Sequence, residues 1–207
     1  MSQIALPLAA GSGAGPSRIV VGNANAAVLD AFARAGDWPF HTAILLGPPR
    51  AGKSLLARWF AEQGTGDVVD DAESADETDL FHRWNRAQES GRPLLFVSNR
   101  PDWQVTLPDL GSRLGAALRL EIGAPDDAML ADLIALHAEQ RGLVLEPNAA
   151  AYLVPRTERS HMAVERLVET IDRLSLERKQ APTMAIWRDA LEEISGGGQG
   201  ENQPRLL

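Results

Sequence analysis

HTAILLGPPRAGKSLLARWFAEQ, residues 41–63, decides the fold. It opens on a short apolar run, passes through a Gly/Pro loop and continues as an apolar-periodic helix. The loop, Gly47-Pro48-Pro49-Arg50-Ala51-Gly52-Lys53-Ser54, fits G-x-x-x-x-G-K-[ST] in full. It also has the strand-before, helix-after context that this pattern requires. Glycines let backbone N–H groups close around phosphate oxygens, and the helix N-terminus adds positive potential. Lys53 is placed to meet the β and γ phosphates, and the Ser54 hydroxyl to help hold Mg²⁺. A nucleotide site built from Gly47, Pro48, Gly52, Lys53 and Ser54 is the first expectation.

Further pieces of such a site follow along the chain. Val68-Val69-Asp70-Asp71 reads as a strand ending in carboxylates. Beside a phosphate loop, Asp70 is the metal-side candidate and Asp71 the one that orients an attacking water. Asn99 follows the apolar strand Leu94–Ser98, where a polar side chain reaches the γ-phosphate or the water. The plainer reading of Asn99 is a turn residue ahead of Pro101. Ser112-Arg113 precedes a last strand at residues 117–123. An arginine there either points into a neighbour's nucleotide site or is an ordinary surface residue.

Strands alternating with helices predict an α/β fold, a parallel sheet with helices on both faces. From Pro125 the pattern is helical only, which predicts a small lid. The expected organisation is an N-terminal motif and linker over 1–17, a nucleotide-binding α/β part over 18–123, a helical lid over 124–195 and a disordered tail over 196–207. The tail is rich in glycine and polar residues.

Composition limits the function. The 207 residues are 44% hydrophobic and 23% charged, ordinary globular proportions. The net charge of −8 argues against strong direct DNA binding, because little counterion release is available. There is no cysteine, which excludes disulfides, thiolate metal sites and cysteine nucleophiles. No run approaches 18 uninterrupted apolar residues, so no membrane span is expected. The start, MSQIALPLAAGSGAGPS, lacks the leading positive charge of a signal peptide, and Pro7 interrupts its apolar run. The expected address is the cytoplasm.

The ordered set of motifs resembles the AAA+ module of the bacterial replication initiator DnaA and, within that family, the Hda-like regulators. The residues that carry the likeness are Arg18-Ile19-Val20-Val21-Gly22-Asn23, the phosphate loop, Val69-Asp70-Asp71, Leu80-Phe81-His82-x-x-Asn85, Phe96-Val97-Ser98-Asn99-Arg100-Pro101 and Leu107-Pro108-Asp109-Leu110-x-Ser112-Arg113-Leu114. The likeness runs from about residue 17 to 194. It adds Val21 and Gly22 to the nucleotide-binding set. It implies ADP or ATP with Mg²⁺ as cofactors, with cis hydrolysis weak or absent. DnaA proteins carry a helix-turn-helix domain after the lid, where this sequence runs into its glycine-rich tail.

Hda-like proteins begin with a sliding-clamp motif, Q-x-x-L-P-L, matched here by Gln3-Ile4-Ala5-Leu6-Pro7-Leu8. Leu6 and Leu8 would fill an apolar pocket of the clamp, Gln3 would hydrogen-bond at its edge, and Pro7 would lower the ordering cost. A linker of roughly eight residues gives a reach of about 15 Å. A segment packed on its own domain is the alternative. The resemblance implies a negative regulator of replication initiation that promotes hydrolysis of DnaA-bound ATP, with Arg113 as the arginine supplied in trans. The implied partners are DnaA and the sliding clamp, and a homodimer is compatible with modules that stack side by side. An autonomous ATPase or kinase and a non-catalytic adaptor are the competing functions.

The sequence departs from the family pattern twice. Asp70 follows Lys53 by only 17 positions, too few for the extra strand and helix of DnaA-type modules, which predicts a four-stranded or otherwise reduced sheet. The family's lid sensor arginine aligns with Glu165, with Arg159 and Arg166 nearby but out of register. A carboxylate there repels phosphate.

Overall fold

A computed structural model describes Leu6–Pro7 and residues 18–197. Gln3, Leu8, the expected linker over 9–17 and the tail beyond 197 lie outside the described residues. The chain divides into two compact units at Gly123/Ala124.

The first unit begins with a two-residue strand, β1 (Leu6–Pro7), antiparallel to β2 (Arg18–Ile19), with Leu6 opposite Ile19. This two-stranded pair stands apart from the main sheet. Then follow α1 (Ala26–Ala33), β3 (Thr42–Leu46), α2 (Lys53–Glu62), β4 (Asp67–Val69), α3 (Glu77–Ser90), β5 (Leu94–Val97), α4 (Pro108–Gly115) and β6 (Leu118–Glu121). The four strands form one parallel sheet in the order β4-β5-β3-β6. The short Lys53–Asp70 spacing thus yields the four-stranded sheet it predicts.

β3 and β5 are central and buried along their whole length. Both faces must then be covered, and continuous apolar runs are what such strands require. Ile44, Leu46, Leu94 and Phe96 pack with Leu80 and Ala87 of α3 and Leu110 and Leu114 of α4. The alternate residues, Ala43, Leu45, Leu95 and Val97, point to the opposite face by the two-residue period of a strand and are equally buried. An aromatic group adds to the core near α1 and α2. Trp38 stacks on Phe60 at 5.3 Å between ring centroids, and Phe32 lies 4.8 Å from Phe60. Asp76 caps the start of α3, its carboxylate accepting from the backbone of Thr78 and Asp79.

Gly66 shows how tightly β4 is laid against its neighbour. A Cβ built there would stand 2.4 Å from the Pro93 carbonyl oxygen and 2.8 Å from Cε1 of Phe60. Both obstacles are fixed, one by backbone and the other by the stacked ring. Gly66→Ala is expected to lower stability by about 1–3 kcal/mol through forced displacement, read as a shifted urea midpoint with an unchanged slope.

The second unit is helical. It contains α5 (Asp127–Gln140), α6 (Ala149–Leu153), α7 (His161–Arg178) and α8 (Met184–Gly197). Asp126 caps α5 by accepting from Met129 N, and the Ser160 hydroxyl caps α7 by accepting from Ala163 N. Leu130, Ile134, Leu153, Val164, Val168, Ile171 and Trp187 fill its core. Glu165 is half-buried, Arg166 is exposed, and Arg159 pairs with Asp127 at 2.8 Å. Among the described residues, no helix is long and apolar enough to cross a membrane.

Candidate functional site

The phosphate loop leaves the carboxyl end of the central strand β3. Gly47 turns with φ 153, and a Cβ there would press on Ile122 at 3.1 Å. Gly52, at φ 83, is the left-handed entry to α2. Arg50 is also left-handed, at φ 65. Lys53 opens α2 and is 4% exposed. Its ammonium donates to the carbonyls of Gly47 at 2.8 Å and Pro48 at 2.7 Å, which curls the loop around it. Burial holds the Lys53 pKa below its ordinary 10.5, while the nearby carboxylates of Glu73 and Asp70 pull the other way. Ser54 follows on the exposed side of the helix start.

The turn that carries Val21 and Gly22 is tied to the residue after Ile122. The Asn25 side chain is buried and ties their turn together: it accepts from Gly22 N at 3.0 Å and donates to the Val20 carbonyl at 2.8 Å. Gly123 N then donates to the Ala24 carbonyl at 2.9 Å, one residue beyond the Ile122 that abuts Gly47. Asn25 was not foreseen, although an amide three residues past a glycine turn is a recognisable local lock.

The carboxyl ends of β4 and β5 bring the acidic and amide residues together. Asp70 is exposed and its carboxylate accepts from Asp71 N. Asp71 is left-handed, with φ 53. Asn99 points its amide nitrogen at the Asp71 carboxylate from 3.5 Å. Its backbone N–H donates to Glu73 at 2.8 Å. Glu73 is the residue that sequence reasoning missed. It links the ends of β4 and β5 and faces Lys53 electrostatically. Its signal was a third acidic residue two positions after the Asp70-Asp71 pair.

Burial pushes the Glu73 carboxyl up, but hydrogen bonds from the backbone of Glu73 and Asn99 and from the side chains of Ser98 and Asn99 outweigh it, so the net pKa is lowered. The folded state therefore holds fewer protons than the unfolded one near that pKa. Its stabilisation is complete above the ordinary value of 4.5 and is lost as pH falls through the lowered pKa. In urea titrations, the advantage of the wild type over Glu73→Gln is expected at neutral pH and to vanish on acidification.

Arg113 lies elsewhere, in the last turn of α4 ahead of β6. Its guanidinium carbon is 4.4 Å from the Phe81 ring centroid and 4.3 Å from that of Trp84. Its Nη1 donates to the Asn85 side chain at 2.5 Å. Among the described residues Asn85 is its hydrogen-bond acceptor, and four of the five N–H donors of a guanidinium stay open. The strands are parallel, so the phosphate loop, Asp70, Asp71 and Asn99 gather at their carboxyl ends. Arg113 stands in the last turn of α4, ahead of the amino end of β6. The structure brings the nucleotide-binding candidates together and keeps Arg113 apart from them.

Residues 126–191 match the family model for the Hda lid domain. The helical unit is thus similar to the Hda lid domain. Domain III of the Thermotoga maritima replication initiation protein DnaA superposes with a TM-score of 0.67 at 14% identity, covering 84% of this chain and 94% of that one. DnaA of Aquifex aeolicus, solved with AMPPCP, gives 0.58 at 16% identity over 91% and 73%. RuvB of Thermotoga maritima gives 0.60 at 16% over 83% and 68%. An uncharacterized protein of Haemophilus influenzae is 30% identical over 118 residues, 56% of this chain. The chain spans about half the length of that curated relative, 51%. At these identities the solved structures establish the shared fold, and the likeness to the Hda lid domain is confined to residues 126–191.

Proposed function

We propose that the chain is a negative regulator of chromosome replication initiation. It binds the DNA-loaded sliding clamp of DNA polymerase III through Gln3, Leu6 and Leu8. It contacts ATP-bound DnaA and supplies Arg113 in trans, which promotes hydrolysis to the ADP form. The observation that carries this reading is the position of Arg113 at the amino end of the sheet, away from the chain's own phosphate loop. A cation in that place serves a neighbour's nucleotide and not its own. There it stabilises negative charge that develops on the γ-phosphate as the bond to the leaving oxygen breaks.

The residues of the chain's own loop fit a nucleotide. Lys53 now satisfies loop carbonyls, and the loop's backbone N–H groups and the α2 N-terminus suit phosphate oxygens. Gly47, Pro48, Gly52, Lys53 and Ser54 would hold the phosphates of ADP or ATP, with Val21 and Gly22 along the base side. Ser54 and Asp70 offer the hard oxygen donors that Mg²⁺ prefers. Bound Mg²⁺ neutralises phosphate charge. Asp71 and Asn99, already oriented on each other, would position water for whatever slow hydrolysis the chain performs itself. The relatives solved with AMPPCP support nucleotide binding in this fold.

The test is ADP formation from ATP-loaded DnaA with and without the chain and clamp-loaded DNA. Stimulation that needs both is the expected result. Steady ATP turnover by the chain alone, abolished by Lys53→Ala and indifferent to DnaA and clamp, would replace this reading with an autonomous ATPase.

A further inference from the structure

The turn into β3 is strained at a residue that serves no visible core purpose. Phe40 and His41 are both left-handed, with φ 51 and 48. An aromatic side chain is a poor fit to that region, where glycine or asparagine is the usual occupant. The chain nevertheless holds the turn firmly. Gln88 Nε2 and Thr42 Oγ1 donate to the Phe40 carbonyl at 2.6 and 2.7 Å. The result is an aromatic ring that is 55% exposed. Strain of this kind persists where the surroundings over-determine it, and such places cluster at functional surfaces.

The ring stands beside the Arg113 cradle. Its centroid is 6.5 Å from that of Trp84, and Trp84 in turn holds the Arg113 guanidinium at 4.3 Å. Phe40 enters β3 and Arg113 leads into β6, so both lie at the amino-terminal edge of the sheet. A partner that meets one meets the other.

We propose that Phe40 and Arg113, bridged by Trp84, form one docking surface for the nucleotide-bearing face of the P-loop module of DnaA. This rests on the trans-arginine reading above and adds the residue that supplies affinity. Charge complementarity selects the occupant. Arg113 is a half-open cation with four unused donors, which suits phosphate oxygens, and the adjacent exposed ring gives the apolar anchor that interface cores favour. The two side chains divide the work: Phe40 holds the partner, and Arg113 acts on its nucleotide.

The division is measurable. Hydrolysis of DnaA-bound ATP is followed at increasing concentrations of the full chain, with clamp-loaded DNA held fixed. Phe40→Gly removes the ring and the backbone strain together, so its thermal midpoint should equal or exceed that of the wild type. Phe40→Asn, which also tolerates the left-handed turn, serves as the second variant. Both are expected to raise the half-saturating concentration about tenfold or more while the rate at saturation stays within about twofold. An unchanged half-saturating concentration overturns the proposal. A Phe40-dependent dimer of the chain alone, seen by sedimentation, also overturns it, by assigning the surface to a second copy. Arg113→Ala in the same assay separates the two ideas. Full stimulation by that variant refutes the trans-arginine reading, whereas its loss beside an unaffected Phe40→Gly removes only the docking surface.

Discussion

Arg113→Ala is expected to lower the clamp-dependent hydrolysis of DnaA-bound ATP by about 10³-fold or more at saturation. The magnitude follows from what the side chain would meet. In a closed site from which water is excluded, a fixed cation beside the transferring phosphoryl group interacts far more strongly than it does in solvent. The Phe81 and Trp84 rings and the Asn85 oxygen already restrict the guanidinium, so little reorganisation is left for the moment of reaction. Arg113→Lys should recover only a small part of the rate. An ammonium lacks the planar fork and stacks differently on the two rings. The fold should tolerate both changes, since a half-exposed cation–π contact contributes on the order of 1 kcal/mol. Single-turnover rates with radiolabelled ATP on DnaA give the answer, with circular dichroism as the folding control. Unaltered hydrolysis would leave the chain as a docking adaptor that uses its AAA+ fold only as a surface.

Leu6→Ala together with Leu8→Ala is expected to weaken binding to the sliding clamp by about 10²-fold or more. Two apolar anchors in one pocket carry most of the energy of so short a peptide, and each truncated leucine costs roughly 1.5–3 kcal/mol of burial. The structure adds a competing state. Leu6 and Pro7 pair with Ile19 and Arg18 in a strand of two residues each. An isolated two-stranded ladder is marginal in water, so the clamp pays little to open it. Surface plasmon resonance on immobilised clamp, with the full chain as analyte, reads the effect directly. Wild-type binding that the double substitution leaves intact would return the N-terminal segment to its own domain. Loss of clamp binding with normal thermal stability would establish it as a tether.

Much of this protein could be read from contiguous residues. The phosphate loop needs only a strand, eight residues and a helix start, and the geometry of each is local, so Gly47–Ser54 took the form its spacing dictates. The same holds for the four-stranded sheet, which followed from a connection between Lys53 and Asp70 too short to hold another strand. Apolar runs in β3 and β5 announced their burial on both faces. Helical periodicity after Pro125 announced the second unit, now matched over residues 126–191 to the Hda lid.

Other features depend on residues far apart in the chain and had no local signal. Glu73 meets Asn99 across 26 positions because β4 and β5 end side by side, and Arg113 meets Asn85 across 28 because α3 and α4 share one face of the sheet. Phe40 is left-handed without a glycine to advertise it; the turn exists because Gln88, 48 positions away, and Thr42 hold its carbonyl. The sequence alone determined that a phosphate loop stands on a parallel sheet, since that follows from neighbours along the chain. Only the tertiary structure decided that Arg113 stands at the opposite end of the sheet beside an exposed aromatic ring. Strand direction and order set which side chains share an edge, and the pairing of distant segments sets both.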